Sequence, residues 1–125
     1  AKPKAQHFPY IKEGNSDFWM LGWGVPTFDS HYIFNYLLHT NGGSRGSWNP
    51  TGFSNADVDA MIVSLESETD LVVRDATIAK IWDIVQSEQV HLPIHNQVLN
   101  WGMSEGINFD VQPEDQPHFQ FLTFN

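Results

Sequence analysis

The chain has 125 residues, 41% of them hydrophobic, with fifteen Asp+Glu against six Lys+Arg, a formal net charge of −9 and no cysteine. That length suits one modest domain able to bury about two-thirds of its unfolded surface, and the apolar content argues against intrinsic disorder. The acidity argues against nucleic-acid and anionic-membrane partners, which need a basic face. The missing cysteine excludes a disulfide scaffold, a thiolate zinc site and a cysteine nucleophile, and no apolar run approaches the roughly 20 residues of a membrane span.

Ala5, Phe8 and Ile11 stand at helical spacing up to Lys12, and Glu13-Gly14-Asn15 is a stop in which Gly14 takes positive φ, so a short helix is expected there. Asp17 to Gly24 holds an apolar run too short for a helix and bounded by turn formers, which predicts a buried strand ending near Trp23. Val25-Pro26 opens a loop, because Pro26 restricts the residue before it and has no N–H to pair. After Asp29 or Ser30, either able to cap, His31 to His39 reads as a short aromatic-rich helix. The glycine-rich stretch Asn41 to Ser47 is expected to be the most flexible part of the chain.

Two further helices carry better signals. The first opens at Ser54 or Asn55, with Val58, Met61, Ile62 and Leu65 as its apolar stripe. The second runs from about Asp70 to Glu88 with Ile78, Ile81, Trp82 and Val85, and the polar joint Glu66 to Thr69 folds the pair into a hairpin. Val90 to His95 is extended around Pro93, and strands are expected at Gln97 to Met103 and Phe119 to Phe124. The first half therefore offers few partners for a buried strand, which a fragment of a larger α/β protein would explain.

Chemical motifs are sparse. His91 and His95 flank Pro93, which forbids the helix that would put both on one metal ion, so a structural or surface role outweighs a metal site. Gly42-Gly43-Ser44-Arg45-Gly46 follows a helix, not a strand, so a solvated loop outweighs a phosphate cradle. The carboxylate pairs Asp57/Asp59 and Glu66/Glu68 lie opposite apolar stripes and read as solvated faces. The loop after the first strand is richer: Trp23, Thr27, Asp29 and His31 offer a stacking surface, a hydroxyl, a carboxylate and an imidazole around one turn at the carboxyl end of a strand. Trp19 is assigned to the core, while Trp23 is divided between core and ligand.

The run Asp17-Phe18-Trp19-Met20-Leu21-Gly22-Trp23-Gly24, the helix started by Asp29 and the Gly/Ser loop are followed by Thr51-Gly52-Phe53-Ser54-Asn55-Ala56-Asp57-Val58-Asp59, the Glu68-Thr69-Asp70 joint and His91-Leu92-Pro93-Ile94-His95. In this order they resemble the C-terminal part of the family 5 extracellular solute-binding proteins, the peptide, nickel and oligosaccharide receptors of ABC importers. The resemblance spans nearly the whole chain and is specific in combination, not in any single motif.

The resemblance implies an α/β class, as part of a two-lobed periplasmic-binding-protein-like fold several times longer than this chain. Residues 1–97 would belong to the second ligand-binding lobe, and 98–125 would cross the hinge and close the first. Any export signal is then expected to have been removed or to lie outside this sequence. It further implies a non-enzymatic receptor without cofactor, located in the periplasm or anchored at a Gram-positive cell surface. Its partners would be a peptide-like or other small solute and the ABC permease subunits, with no nucleic acid and no membrane insertion, and the full-length protein would be a monomer.

Trp23, Gly24, Thr27, Asp29 and His31 would face the ligand. In peptide-capturing members an aspartate shortly after Gly-Trp holds the ligand's α-amino group. Here Pro26 stands at the aligned position and Ser30 replaces the proline of the family's Asp-Pro pair; a three-residue shift would give the role to Asp29. Two other classes stay open from the residues alone: a small acidic carbohydrate hydrolase using Asp29 with a second carboxylate, and a lectin-like or protein-interaction module.

Overall fold

The structure, a computed structural model, describes residues 2–125. Helix α1 covers Lys4–Lys12. Helix α2, Ser30–Ile33, runs straight into a π-helical turn at Phe34–Leu38, closed by the His39 N–H donating to the Phe34 carbonyl at 2.8 Å. Helices α3 (Ala56–Ser64) and α4 (Leu71–Ser87) follow, and two-residue strands β1 (Ile107–Asn108) and β2 (Thr123–Phe124) pair antiparallel near the end. No helix is long and apolar enough to cross a membrane among the described residues.

Side-chain caps set the helix starts. Asp29 accepts the His31 N–H, Asn55 accepts those of Asp57 and Val58, and Asp70 accepts those of Val72 and Val73. Each cap satisfies donors that the first helical turn leaves orphaned, worth about 1 kcal/mol apiece. The expected hairpin forms as read: Val58, Ile62 and Leu65 of the first arm meet Ile81 and Val85 of the second, and Phe34, Leu38 and Phe53 close the core from the other side. Phe34 is fully buried, edge-on to Trp82 at 5.0 Å between ring centroids.

The glycine-rich stretch departs from the flexible loop expected of it. The Gly46 N–H donates to the Asn35 carbonyl at 2.8 Å and the Trp48 N–H to that of Tyr36 at 3.0 Å, which ties the far end of the stretch to the π-helical turn. Gly46 is buried at φ +63°, where a Cβ would lie 2.7 Å from the Thr40 carbonyl oxygen and nearer still to that of His39. Only glycine combines that backbone with that approach. Buried Asn49 fastens the next turn by donating to the carbonyls of His39 and Phe53 and accepting from the Thr51 hydroxyl.

The expected strands correct differently. Asp17 and Phe18 make a bend, and from Phe18 to Gly24 the exposure alternates as a strand's would, with Trp19, Leu21 and Trp23 turned inward and Phe18 81% exposed; no backbone neighbour pairs with it. Gln97 to Met103 forms no regular element and no ladder, and Phe119–Phe121 forms a 3-10 turn, which leaves only Thr123–Phe124 of that prediction as strand. The physical reason is common to all three: alternation specifies a pleated segment, and a sheet exists only where a second segment supplies the hydrogen bonds.

Beyond Val85 no described residue is buried. The last segment is held by smaller contacts, with the Trp101 ring 6.0 Å from Phe109 and its indole N–H donating to Asp115 at 3.1 Å. The chain presents 9028 Å² of surface, whereas a folded monomer of 14.3 kDa is expected to present about 6,800 Å², an excess of roughly 2,200 Å².

Two predictions separate close approach from mere backbone conformation. Gly46→Ala should cost at least about 2 kcal/mol in denaturant unfolding, while Gly43→Ala, at φ +75° but facing open space, should cost about 1 kcal/mol. Phe34→Ala should cost about 3–5 kcal/mol in the same measurement.

Candidate functional site

The loop that follows Trp23 reaches the helical hairpin through one arginine. Arg74, in the first turn of α4, donates through Nη1 to the Leu65 carbonyl at the end of α3 and through Nη2 to Asp29 Oδ2, both at 2.6 Å. Asp29 thus has two duties, capping α2 through Oδ1 and pairing with Arg74 through Oδ2. Around this pair opens a solvent-facing cavity of about 550 Å³, lined by Thr27, Asp29, His31 and Tyr32 on one side and by Leu65, Glu66, Glu68 and Arg74 on the other.

Charge in the cavity is largely committed. Burial pushes the Asp29 carboxyl up, but hydrogen bonds from Arg74 and the His31 N–H, together with the Arg74 charge, outweigh it and hold the group below its ordinary value. Glu66 is drawn down by its hydrogen bond from Arg45, whose Nη2 lies 2.6 Å from Oε1. Glu68 accepts the Asp70 N–H at 2.7 Å. The imidazole of His31 is the exception: its Nε2 is buried and has no protein partner, an arrangement that costs free energy until a ligand or water meets it.

Of the five residues expected at a site, Thr27, Asp29 and His31 line this cavity together. Trp23 and Gly24 do not. Trp23 packs in an aromatic cluster with Tyr32, Tyr36 and Trp48 at 6.0–6.2 Å, with Phe8 edge-on to Trp48 and the Lys12 ammonium 3.7 Å above the Trp48 ring. Its indole N–H is also buried without a partner. Tyr32 belongs to both groups, touching Trp23 and lining the cavity. Gly24 is exposed, and nothing lies within 4 Å of where a Cβ would stand.

Sequence reasoning missed Tyr32, Leu65 and Arg74. Glu66 and Glu68, expected on a solvated face, do lie at the surface, where Glu66 pairs with Arg45 and Glu68 accepts the Asp70 N–H. A usable signal existed for Arg74: a cation within four residues of the Asp70 cap is poorly placed for the α4 dipole and needs another partner. Asp59 also departs from a plain solvated face, accepting the Thr40 N–H at 2.9 Å with His39 Nδ1 at 3.6 Å. His91 and His95 sit on the irregular segment around Pro93, and partial burial pushes the His91 imidazole pKa down.

At Phe28 the loop adopts φ +54°, a left-handed conformation that strains an aromatic residue, and it leaves the ring 69% exposed between two cavity-lining neighbours.

The folded Asp29 carboxyl lies below its unfolded value of 3.8, so its stabilisation is complete above that value and is lost as pH falls through the lower folded one. Asp29→Asn keeps a cap acceptor but removes the charge. The stability difference between the two proteins, read by urea titration at several pH values, should be full at neutral pH and shrink once pH drops below 3.8. No protein-family model, curated protein or solved structure matches this chain.

Proposed function

We propose that this chain is part of the solute-binding component of an ABC importer, of the family 5 type that its motif order resembles, and that it captures a peptide-like or other small solute for delivery to permease subunits. The observation that carries the reading is the open cavity of about 550 Å³ beside the segment that follows Gly22-Trp23-Gly24, where the carboxylates of Asp29, Glu66 and Glu68, the guanidinium of Arg74, the Thr27 hydroxyl and the His31 ring line one space. A receptor needs such a half-site, polar for orientation and open toward a second surface.

The surface excess and the unpaired segment 17–24 support the same reading, since a lobe of a larger α/β protein would leave its strands bare when considered alone. In the proposed protein, ligand held between two lobes shifts an open–closed equilibrium, and the closed form is what the permease recognises. Its place would be the periplasm or a Gram-positive cell surface. Within the cavity, His31 and Thr27 orient the ligand, while Asp29 and Arg74 shape the wall.

Hydrolysis by paired carboxylates suits the cavity less well. A glycosidase needs one carboxyl whose pKa is raised so that it can donate a proton, and both Asp29 and Glu66 are held down by arginine partners.

The reading frame that contains these residues tests the proposal first: a much longer frame with an export signal, next to permease and ATPase genes, supports it, and a frame that stops near this length overturns it. Native mass spectrometry of the complete protein should then reveal a co-purified small solute. For that solute, His31→Ala should weaken binding at least about tenfold by calorimetry, or roughly 1.4 kcal/mol. Unchanged affinity in a folded variant would remove His31 from the site.

A further inference from the structure

We infer that Asn41 is a site of spontaneous deamidation, and that its isoaspartyl product loosens the glycine turn which Gly46 anchors. The pair Asn-Gly occurs once in the chain, at Asn41-Gly42, and both residues are exposed. The nucleophile is the Gly42 backbone nitrogen and the electrophile is Asn41 Cγ, and their union closes a five-membered ring within one chain. Glycine presents that nitrogen without a Cβ to hinder it.

Water is the single co-reactant. The Gly42 nitrogen, having lost its proton to solvent, bonds to Asn41 Cγ; the Cγ–Nδ2 bond breaks and ammonia leaves with a proton, which closes a succinimide. Water then adds to one of the two ring carbonyls. Opening at Cγ restores the ordinary main chain and leaves aspartate. Opening at the main-chain carbonyl carbon reroutes the chain through Cγ and leaves isoaspartate, whose carboxylate branches from Cα.

The fold distinguishes this asparagine from the others. Asn49 is buried, donates to the carbonyls of His39 and Phe53, and precedes Pro50, whose nitrogen has no proton to give up. Asn55 holds its side-chain oxygen on the N–H groups of Asp57 and Val58. Asn96 and Asn100 are exposed too, but Gln97 and Trp101 follow them, and a side chain there crowds the attacking nitrogen. At Asn41 the restraint on the nucleophile is the Gly42 N–H donating to the Arg45 carbonyl at 3.2 Å, a long bond in a surface turn of the kind that opens locally at little cost.

The two products meet different surroundings. A Cβ on Gly46 would lie 2.8 Å from the Asn41 Cα, so that Cα and the carbonyl oxygens of His39 and Thr40 crowd the same face of buried Gly46. Aspartate changes the side-chain tip alone and leaves this packing intact. Isoaspartate sets a carboxylate on the crowded Cα and adds a methylene to the main chain between two fixed points, the Thr40 N–H on Asp59 at 2.9 Å and the Gly46 N–H on the Asn35 carbonyl at 2.8 Å. With both ends held, the turn between them gives way.

Incubation of the complete protein in mildly alkaline buffer for several weeks, followed by peptide mapping, should convert residue 41 from amide to acid at least about tenfold faster than Asn96 or Asn100, with isoaspartate in excess of aspartate. Gly42→Ala fits the fold, since a Cβ there meets the Thr40 carbonyl oxygen at 3.9 Å, and it should slow the conversion at least about tenfold. In the isoaspartyl form, separated by ion exchange, the Gly46 and Trp48 amides should exchange with deuterium faster than in the unmodified protein, while Asn41→Asp should keep their protection. Conversion no faster than at Asn96, or conversion only after urea has unfolded the chain, overturns the inference. Unchanged exchange at Gly46 in the isoaspartyl protein overturns its structural half. Solute binding enters none of these readouts, so the receptor reading stands or falls separately.

Discussion

Arg74 is the joint on which the arrangement turns. One guanidinium fork closes the carbonyl end of α3 and holds the carboxylate that caps α2, so three elements distant in sequence are fixed by two short charge-assisted hydrogen bonds. Such bonds are about twice as strong as neutral ones, and the fork geometry sets direction as well as distance. A lysine ammonium, a compact charge on a flexible stem, lacks the rigid fork that spans the two acceptors, and the loop from Thr27 to His31 would lose its bearing on the hairpin. The cavity exists because this joint props the loop against the hairpin instead of letting the apolar surfaces collapse. The hydrophobic core beneath, from Phe34 to Val85, supplies the energy of folding but leaves the position of the loop to Arg74.

Helix starts were legible in the sequence because their physics is local. Asp29, Asn55 and Asp70 each precede an apolar-periodic segment and each caps it, within a residue or two of the expected start. The hairpin was legible for the same reason, since a four-residue polar joint between two striped helices leaves one way to bury both stripes. Strands failed because a ladder is a property of two segments: Trp19, Leu21 and Trp23 alternate correctly and still have no backbone partner. Gly46 failed for a related reason. A glycine-rich stretch signals freedom when read alone, and only the fold reveals that one of its glycines is pressed against two carbonyls.

The candidate site was legible by half. Thr27, Asp29 and His31 were found because loop residues of mixed chemistry after a strand-like run are where ligands bind in α/β proteins. The other wall comes from the α3–α4 joint, forty or so residues away, and no periodicity connects the two. Trp23 was divided between core and ligand because indole suits both, and its neighbours decide: Tyr32, Tyr36 and Trp48 surround it. Tyr32 then becomes the element that couples them, since any shift of the Trp23 cluster moves one wall of the cavity.

Charge and surface together constrain how this chain meets anything else. All fifteen of its acidic residues lie outside the segments 18–28 and 89–103, which contain no Asp, Glu, Lys or Arg. A segment of that kind gains nothing from water through its side chains, yet its backbone must stay hydrated as long as no strand lies beside it. Covering it with another strand exchanges those waters for a ladder and buries Phe18, Met20, Ile94 and Val98 at the same time. The acidic remainder cannot provide that cover without bringing Asp and Glu against an apolar surface. A partner strand therefore approaches most cheaply through these uncharged segments, and the open cavity at Asp29, His31 and Arg74 remains a separate, polar surface.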